Sequence, residues 1–198
     1  NHVKDPHVKK SISEGFRSRA SYKLLQMNEK DQLLKPGMAV IDLGGAPGGW
    51  AQVASKIVGK KGAVVSVDLL PIEPIMGVHV LKGDIAETSV FSRLQDSMGT
   101  KNADLVMSDM APNLTGINDI DGPKIIHLAN LAVVVCEKVL TIGGSLVVKL
   151  FHSDDAHGFV RRLRRVFNTL KVRKPTSSRS SSSEFYVVAK GYKGGMRC

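Results

Sequence analysis

The sequence predicts an α/β fold: a mostly parallel sheet flanked by helices, with one antiparallel edge strand. Two observations predict it. Short apolar runs rich in β-branched residues recur along the chain, and all but the last two are separated by stretches that suit helices. A glycine-rich turn follows the first run directly, as it does where an open sheet binds a ligand. Strands alternating with helices favour right-handed crossovers, which bury a parallel sheet on both faces and leave ligands at the C-terminal ends of the strands.

Taken in order, residues 1–35 form a basic arm and helix, residues 36–192 the core, and residues 193–198 a tail of one domain. Ala39–Leu43 is the first strand, followed by the glycine turn and a helix beginning near Gly49. Ala63–Val67, Val78–Lys82, Ala103–Ser108 and Ser145–Phe151 supply the next four strands. Leu128–Leu140 is the longest apolar run, but Glu137 and Lys138 interrupt it and it falls short of the ~20 residues a membrane-spanning helix needs. Val160–Phe167 sets Val160, Leu163 and Phe167 on one helical face with four arginines opposite. Leu170–Arg173 and Phe185–Ala189 pair as a hairpin at one edge. Between them Thr176–Ser183 has the composition of a linker, yet it leads straight into a strand, so a loop on the rim of the site is expected, with Arg179 facing solvent or phosphate.

Composition narrows the class. Hydrophobic residues make up 42% of 198 and charged residues 23%, the balance of a folded globular chain. Cys136 and Cys198 offer no disulfide framework, and no secretory leader is visible. A reducing compartment is expected, the cytoplasm, or a mitochondrion if the source is eukaryotic. The net charge of +10 divides unevenly, at +4 over residues 1–35, −3 over 36–148 and +9 over 149–198. An acidic centre between basic flanks suits a small ligand in the middle and a polyanion across the ends.

The turn Asp42-Leu-Gly-Gly-Ala-Pro-Gly-Gly-Trp50 joins a strand to a helix N-terminus, where glycine lets the backbone approach a ligand and free amides face it. Gly44 is the first of its glycines. Pro47 removes an N–H that a pyrophosphate cradle would use, and the spacing is not G-x-G-x-x-G, which favours S-adenosylmethionine over a dinucleotide. Asp68 ends the second strand where an acidic residue meets ribose hydroxyls, and Asp84 follows the third, within reach of an adenine amino group. Lys149 interrupts the apolar run of the fifth strand, and a lysine there needs a partner or a task.

The series of motifs resembles the FtsJ/RrmJ-like RNA ribose 2′-O-methyltransferases from about Phe16 to Gly191, most closely the bacterial ribosomal RNA members. It is carried by Arg17-Ser-Arg-Ala-Ser-Tyr-Lys23-Leu, the glycine turn to Trp50, Val67-Asp-Leu-Leu-Pro71, Ser108-Asp-Met-Ala-Pro-Asn113, Val148-Lys-Leu-Phe151, and Arg173-Lys-Pro-Thr-Ser-Ser-Arg179 leading into Ser183-Glu-Phe-Tyr186. Gly45 stands where alanine is common in that family, and the N-terminal arm is short. The resemblance implies a Rossmann-like, S-adenosylmethionine-dependent methyltransferase fold. It further implies a catalytic tetrad at Lys23, Asp109, Lys149 and Glu184, and cofactor contacts at Gly48, Trp50, Asp68, Asp84 and Asp109. Lys149 would act as base or oxyanion stabiliser, oriented by Asp109. A sulfonium leaving group needs no metal, and the six histidines show no ligand spacing.

Arg17, Arg19 and Lys23 lead to the tetrad and, with Arg179, are the expected RNA contacts. The resemblance implies a uridine in the A-loop of large-subunit ribosomal RNA, free or in the subunit, as substrate of a monomeric enzyme, with transfer RNA left open. A nicotinamide-dependent dehydrogenase would share the fold, but Pro47 and Lys149 count against it. A non-catalytic RNA-binding module would have no need of all four tetrad residues.

Overall fold

A computed structural model describes residues 13–178 and 182–195. After a leading segment come α1 (Ala20–Asp31), β1 (Ala39–Leu43), α2 (Gly49–Val58), a short 3-10 turn, β2 (Ala63–Asp68) and β3 (Val78–Lys82). Then follow α3 (Thr88–Met98), β4 (Ala103–Ser108), α4 (Asn118–Val139), β5 (Leu140–Phe151), α5 (Asp154–Val166), β6 (Phe167–Arg173) and β7 (Glu184–Tyr192). The sheet order is β3-β2-β1-β4-β5-β7-β6. The first five strands in that order are parallel, and the antiparallel edge is a hairpin in which β7 runs against both β5 and β6.

Side chains of a strand alternate between faces, and here each face has its own helices. Ile41, Leu43, Val65, Val106, Leu146, Val148, Phe185 and Val187 bury against α3, α4 and α5. Val40, Val64, Leu105, Met107, Val147, Tyr186 and Val188 bury against α1 and α2. The run at the fifth strand begins five residues earlier than its sequence suggests, because Leu140 already pairs with Ala103 and the ladder shifts register before Ser145 meets Leu105. Gly143, at φ +83, and Gly144 lie in that shift.

The amphipathic helix also differs from expectation. Phe167 is the first residue of β6, and the buried stripe of α5 is Ala156, Phe159, Leu163 and Val166, with Val160 only half-buried. The Ser153 hydroxyl caps that helix by accepting from Ala156 N at 3.2 Å, which starts its register about two turns before the arginines. Among the described residues no helix is long and apolar enough to cross a membrane.

Candidate active site

A cleft of about 950 Å³ opens at the C-terminal ends of β1, β2, β3 and β4. Each strand end gives it a chemically distinct piece: Gly44 and Ala46 after β1, Asp68 at the end of β2, Asp84 after β3, and Asp109 to Asn113 after β4. The glycine at 44 is dictated by packing, since its φ is +73 and a Cβ there would lie 2.7 Å from Met110 Cγ. Asp68 stiffens the turn by accepting from Ala46 N at 2.9 Å and from Leu70 N at 2.8 Å. Asp84 accepts from Ala86 N at 2.9 Å, the local bond that fixes an Asx turn.

Asp42 and Ser66 lie side by side in the β1–β2 register behind this turn, and the Ser66 hydroxyl donates to Asp42 Oδ2 at 2.9 Å. Burial pushes the Asp42 carboxyl up to about 7. A Cβ at Gly45 would fall 1.9 Å from Ser66 Oγ, so the serine opposite calls for glycine here.

At the neighbouring strand ends, charged side chains meet on the α1 face of the sheet. Lys149 and Tyr186 are direct partners in the β5–β7 ladder, and Glu184 pairs with Phe151 two positions on. The parity of β5 and β7 turns Lys149 and Tyr186 toward α1, whose Lys23 is buried there. Lys149 Nζ donates to Asp109 Oδ1 at 2.9 Å and to Asp109 O at 2.8 Å. Lys23 Nζ donates to Glu184 Oε1 and lies 3.3 Å from the Tyr186 hydroxyl, which itself donates to Asp109 Oδ1 at 2.7 Å. Tyr186 thus bridges two ion pairs.

Burial alone would raise the Glu184 carboxyl, but the Lys23 ammonium bound to it prevails and holds it below the usual carboxylate range. The Tyr186 hydroxyl is pushed well above the ordinary phenol value by burial and then by the Asp109 and Glu184 charges, so it stays protonated as a donor.

The structure brings Lys23, Asp109, Lys149 and Glu184 together, and it lines the cleft with Gly44, Asp68, Asp84 and Asp109. Other expected contacts are placed elsewhere. The Trp50 indole is only 3% exposed and donates from Nε1 to Ala20 O at 2.8 Å, so its ring pins α1 to α2 instead of facing the cleft. Gly48 is not on the cleft lining; a Cβ there would meet Ile75 Cδ1 and the Arg17 guanidinium. Arg17, expected as a phosphate contact, is engaged with main-chain carbonyls. Its guanidinium donates to Glu73 O at 2.5 Å, Pro74 O at 2.7 Å and Pro47 O at 3.3 Å, lacing the leading segment to the loops around the cleft.

Lys23 is buried against Glu184, which removes it from phosphate, while Arg19 is half-buried near Tyr186. Arg179 lies outside the described residues. Sequence reading missed Tyr186 and the Asp42–Ser66 pair. Parity held the signal for the tyrosine, since in a strand it shares a face with Glu184 two residues before. Among the described residues no cluster of metal-ligating side chains occurs.

The model of the FtsJ-like methyltransferase family matches residues 16–192. "Ribosomal RNA large subunit methyltransferase E" of Cellvibrio japonicus is 47% identical over 193 residues, covering 98% of this chain and 92% of its own. The protein of the same name from Marinobacter nauticus is 48% identical over 192 residues, 97% of this chain and 93% of its own. Among solved structures, a Plasmodium falciparum protein provisionally described as a ribosomal RNA methyltransferase superposes with TM-score 0.81 at 27% identity, covering 91% of this chain and all of its own. Aeropyrum pernix fibrillarin, crystallised with natively bound S-adenosyl-L-methionine, shares the fold at TM-score 0.58 and 17% identity, over 87% of this chain and 74% of its own.

Proposed function

The chain belongs to the FtsJ-like methyltransferase family, and from that premise we propose that it methylates a ribose 2′-hydroxyl of large-subunit ribosomal RNA, at a uridine of the A-loop, using S-adenosylmethionine. The observation that carries this reading is the pair of ion pairs, Lys23–Glu184 and Lys149–Asp109, joined through Tyr186 at the edge of the cleft.

The cleft fits the cofactor. Its volume of about 950 Å³ is ample, and its first turn is held open by Asp68 through Ala46 N. A carboxylate has about four acceptor positions, so Asp68 and Asp84, each already bonded to main-chain N–H, keep capacity for ribose hydroxyls and an adenine amino group. Bound S-adenosylmethionine supplies a methyl group on a positively charged sulfur.

The remaining chemistry belongs to side chains of the chain. A ribose hydroxyl is a weak nucleophile at neutral pH, and its oxygen must be aimed and its developing charge offset. Lys149 Nζ gives two of its three bonding directions to Asp109, which fixes the amine and leaves one direction for the hydroxyl. As the ammonium paired with Asp109, Lys149 stabilises the developing charge on the reacting oxygen while the hydroxyl proton passes to solvent; as the neutral amine it takes up that proton itself. Asp109 is held in turn by Tyr186, and Lys23 and Glu184 complete the frame, so the amine is positioned before substrate arrives. The substrate surface is basic, and the enzyme acts in the cytoplasm as a monomer.

The test is transfer of labelled methyl to large ribosomal subunits, naked ribosomal RNA and transfer RNA, with a control RNA carrying a 2′-deoxy residue at the mapped site. Label on subunit or ribosomal RNA, absent from the deoxy control, is expected. Preferential label on transfer RNA overturns the substrate, and label in the deoxy control overturns the 2′-hydroxyl.

A further inference from the structure

The loop between β4 and α4 is held open by a buried carboxylate. Asp121 accepts from Thr115 N at 2.9 and 3.1 Å, from Thr115 Oγ1 at 2.9 Å and from Gly116 N at 2.9 Å. Four such bonds fix the turn, yet what the turn displays is apolar: Leu114 is 51% and Ile117 54% exposed. Neither side chain lines the cofactor cleft, whose lining from this loop ends at Asn113. Met110 to Ile117 carries no charge, so the loop offers no cation to phosphate. Braced and apolar, it is built to touch something flat and uncharged.

The position of the reactive amine says what that is. The Lys149 side chain is only 9% exposed, so the ribose must enter a recess to reach it. A nucleotide drawn out of its stack brings its ribose to that depth, at a cost in unstacking energy, and leaves a gap beside its neighbours. Proteins that unstack nucleic acid commonly fill such a gap with apolar side chains such as Leu and Ile. Leu114 stands five residues past Asp109, within roughly 17 Å of it along the chain, a reach suited to the nucleotide next to the target.

We propose that Leu114 and Ile117 form an apolar wedge that packs on the bases flanking the extruded target nucleotide, and that Asp121 holds this wedge rigid. This inference rests on the reading of the chain as a ribose methyltransferase. It concerns how RNA is presented and leaves the tetrad and cofactor contacts untouched.

The experiment compares wild type, the double variant Leu114→Ser/Ile117→Ser, the conservative Leu114→Met and the bracing variant Asp121→Asn. Methyl transfer is measured on naked ribosomal RNA and on large subunits, S-adenosylmethionine affinity by calorimetry, and unstacking by fluorescence of 2-aminopurine placed beside the mapped site. The double variant is expected to lose about tenfold in kcat/KM on both RNA substrates and to lose the 2-aminopurine rise, with cofactor affinity unchanged. Leu114→Met should retain activity, and Asp121→Asn should fall between. Unchanged kcat/KM in the double variant overturns the wedge. A loss on subunits alone overturns it too, because the loop then faces a ribosomal protein. Wild-type transfer to the deoxy control overturns the ribose reading itself, and this outcome is separate from any effect of the variants.

Discussion

At the residue scale the cleft and the tetrad divide the work, and two substitutions separate them. Lys149→Ala removes the amine proposed to face the ribose, and Lys149 itself does not line the cleft, so methyl transfer should fall by about 10² or more with cofactor affinity nearly intact. Single-turnover transfer beside calorimetry reads both quantities. Asp68→Ala should do the reverse, weakening S-adenosylmethionine binding by roughly 1.5–3 kcal/mol as charge-assisted bonds are lost. Equal affinity of this variant and the wild type would remove Asp68 from the site. Asp42 makes a different prediction. Its folded-state carboxyl sits at about 7, above the ordinary value of 3.8, so the folded form holds a proton that the unfolded chain has released between those values. Its contribution is therefore full below about pH 4 and is lost as pH rises to about 7. Asp42→Asn, unable to titrate, should flatten that slope in denaturant melts run across the same range.

At the element scale the question is what keeps α1 on the sheet, because Lys23 reaches Glu184 only from there. The helix ends at Asp31, whose side chain is fully buried and takes a bidentate pair of bonds from Arg173 of β6, both 2.7 Å. Lys190 of β7 donates to Asp31 O at 2.8 Å, so the hairpin grips the end of the helix through both its strands. Arg173 is partly exposed and solvent screens it, so Arg173→Met should cost about 2–3 kcal/mol, below the range for fully buried pairs. The Arg173 hydrogen bonds hold the Asp31 carboxyl below its ordinary value against the opposing effect of burial. That stabilisation is present above about pH 4 and is lost as pH falls through the folded-state value. Acid unfolding should accordingly begin at higher pH in the variant than in wild type, and equal acid midpoints by circular dichroism would show that the clasp is not what holds α1.

At the scale of the whole molecule the charge asymmetry governs encounter with RNA. The flanks carry +4 and +9 and the centre −3, so a polyanion is attracted across the ends while the cleft remains suited to a cationic ligand. RNA binding should weaken steeply and linearly in log–log form between 50 and 200 mM salt, as released counterions require, whereas cofactor affinity should change little over the same range. Filter binding and calorimetry at matched salt test the contrast. A flat RNA response would place recognition in the apolar and shape contacts alone.

The sequence by itself determined the alternation of strands and helices, the start of α2 after the glycine turn, and the acidic residues at successive strand ends, because each depends on neighbours in the chain. Apolar periodicity, glycine chemistry and strand ends are local signals. The resemblance added which four charged residues to expect at the reaction, though not how they touch. Only the tertiary structure decided that Lys149 opposes Tyr186 across a ladder, that Tyr186 joins the two ion pairs, and that Arg17 laces loops through their carbonyls. It likewise turned the Trp50 ring into a helix clamp and matched Gly45 to Ser66. The physical reason is common to all of these: strand register and helix docking set distances between groups far apart in sequence. Whether a buried polar group becomes a ligand, a brace or a relay depends on those distances, which local patterning does not encode.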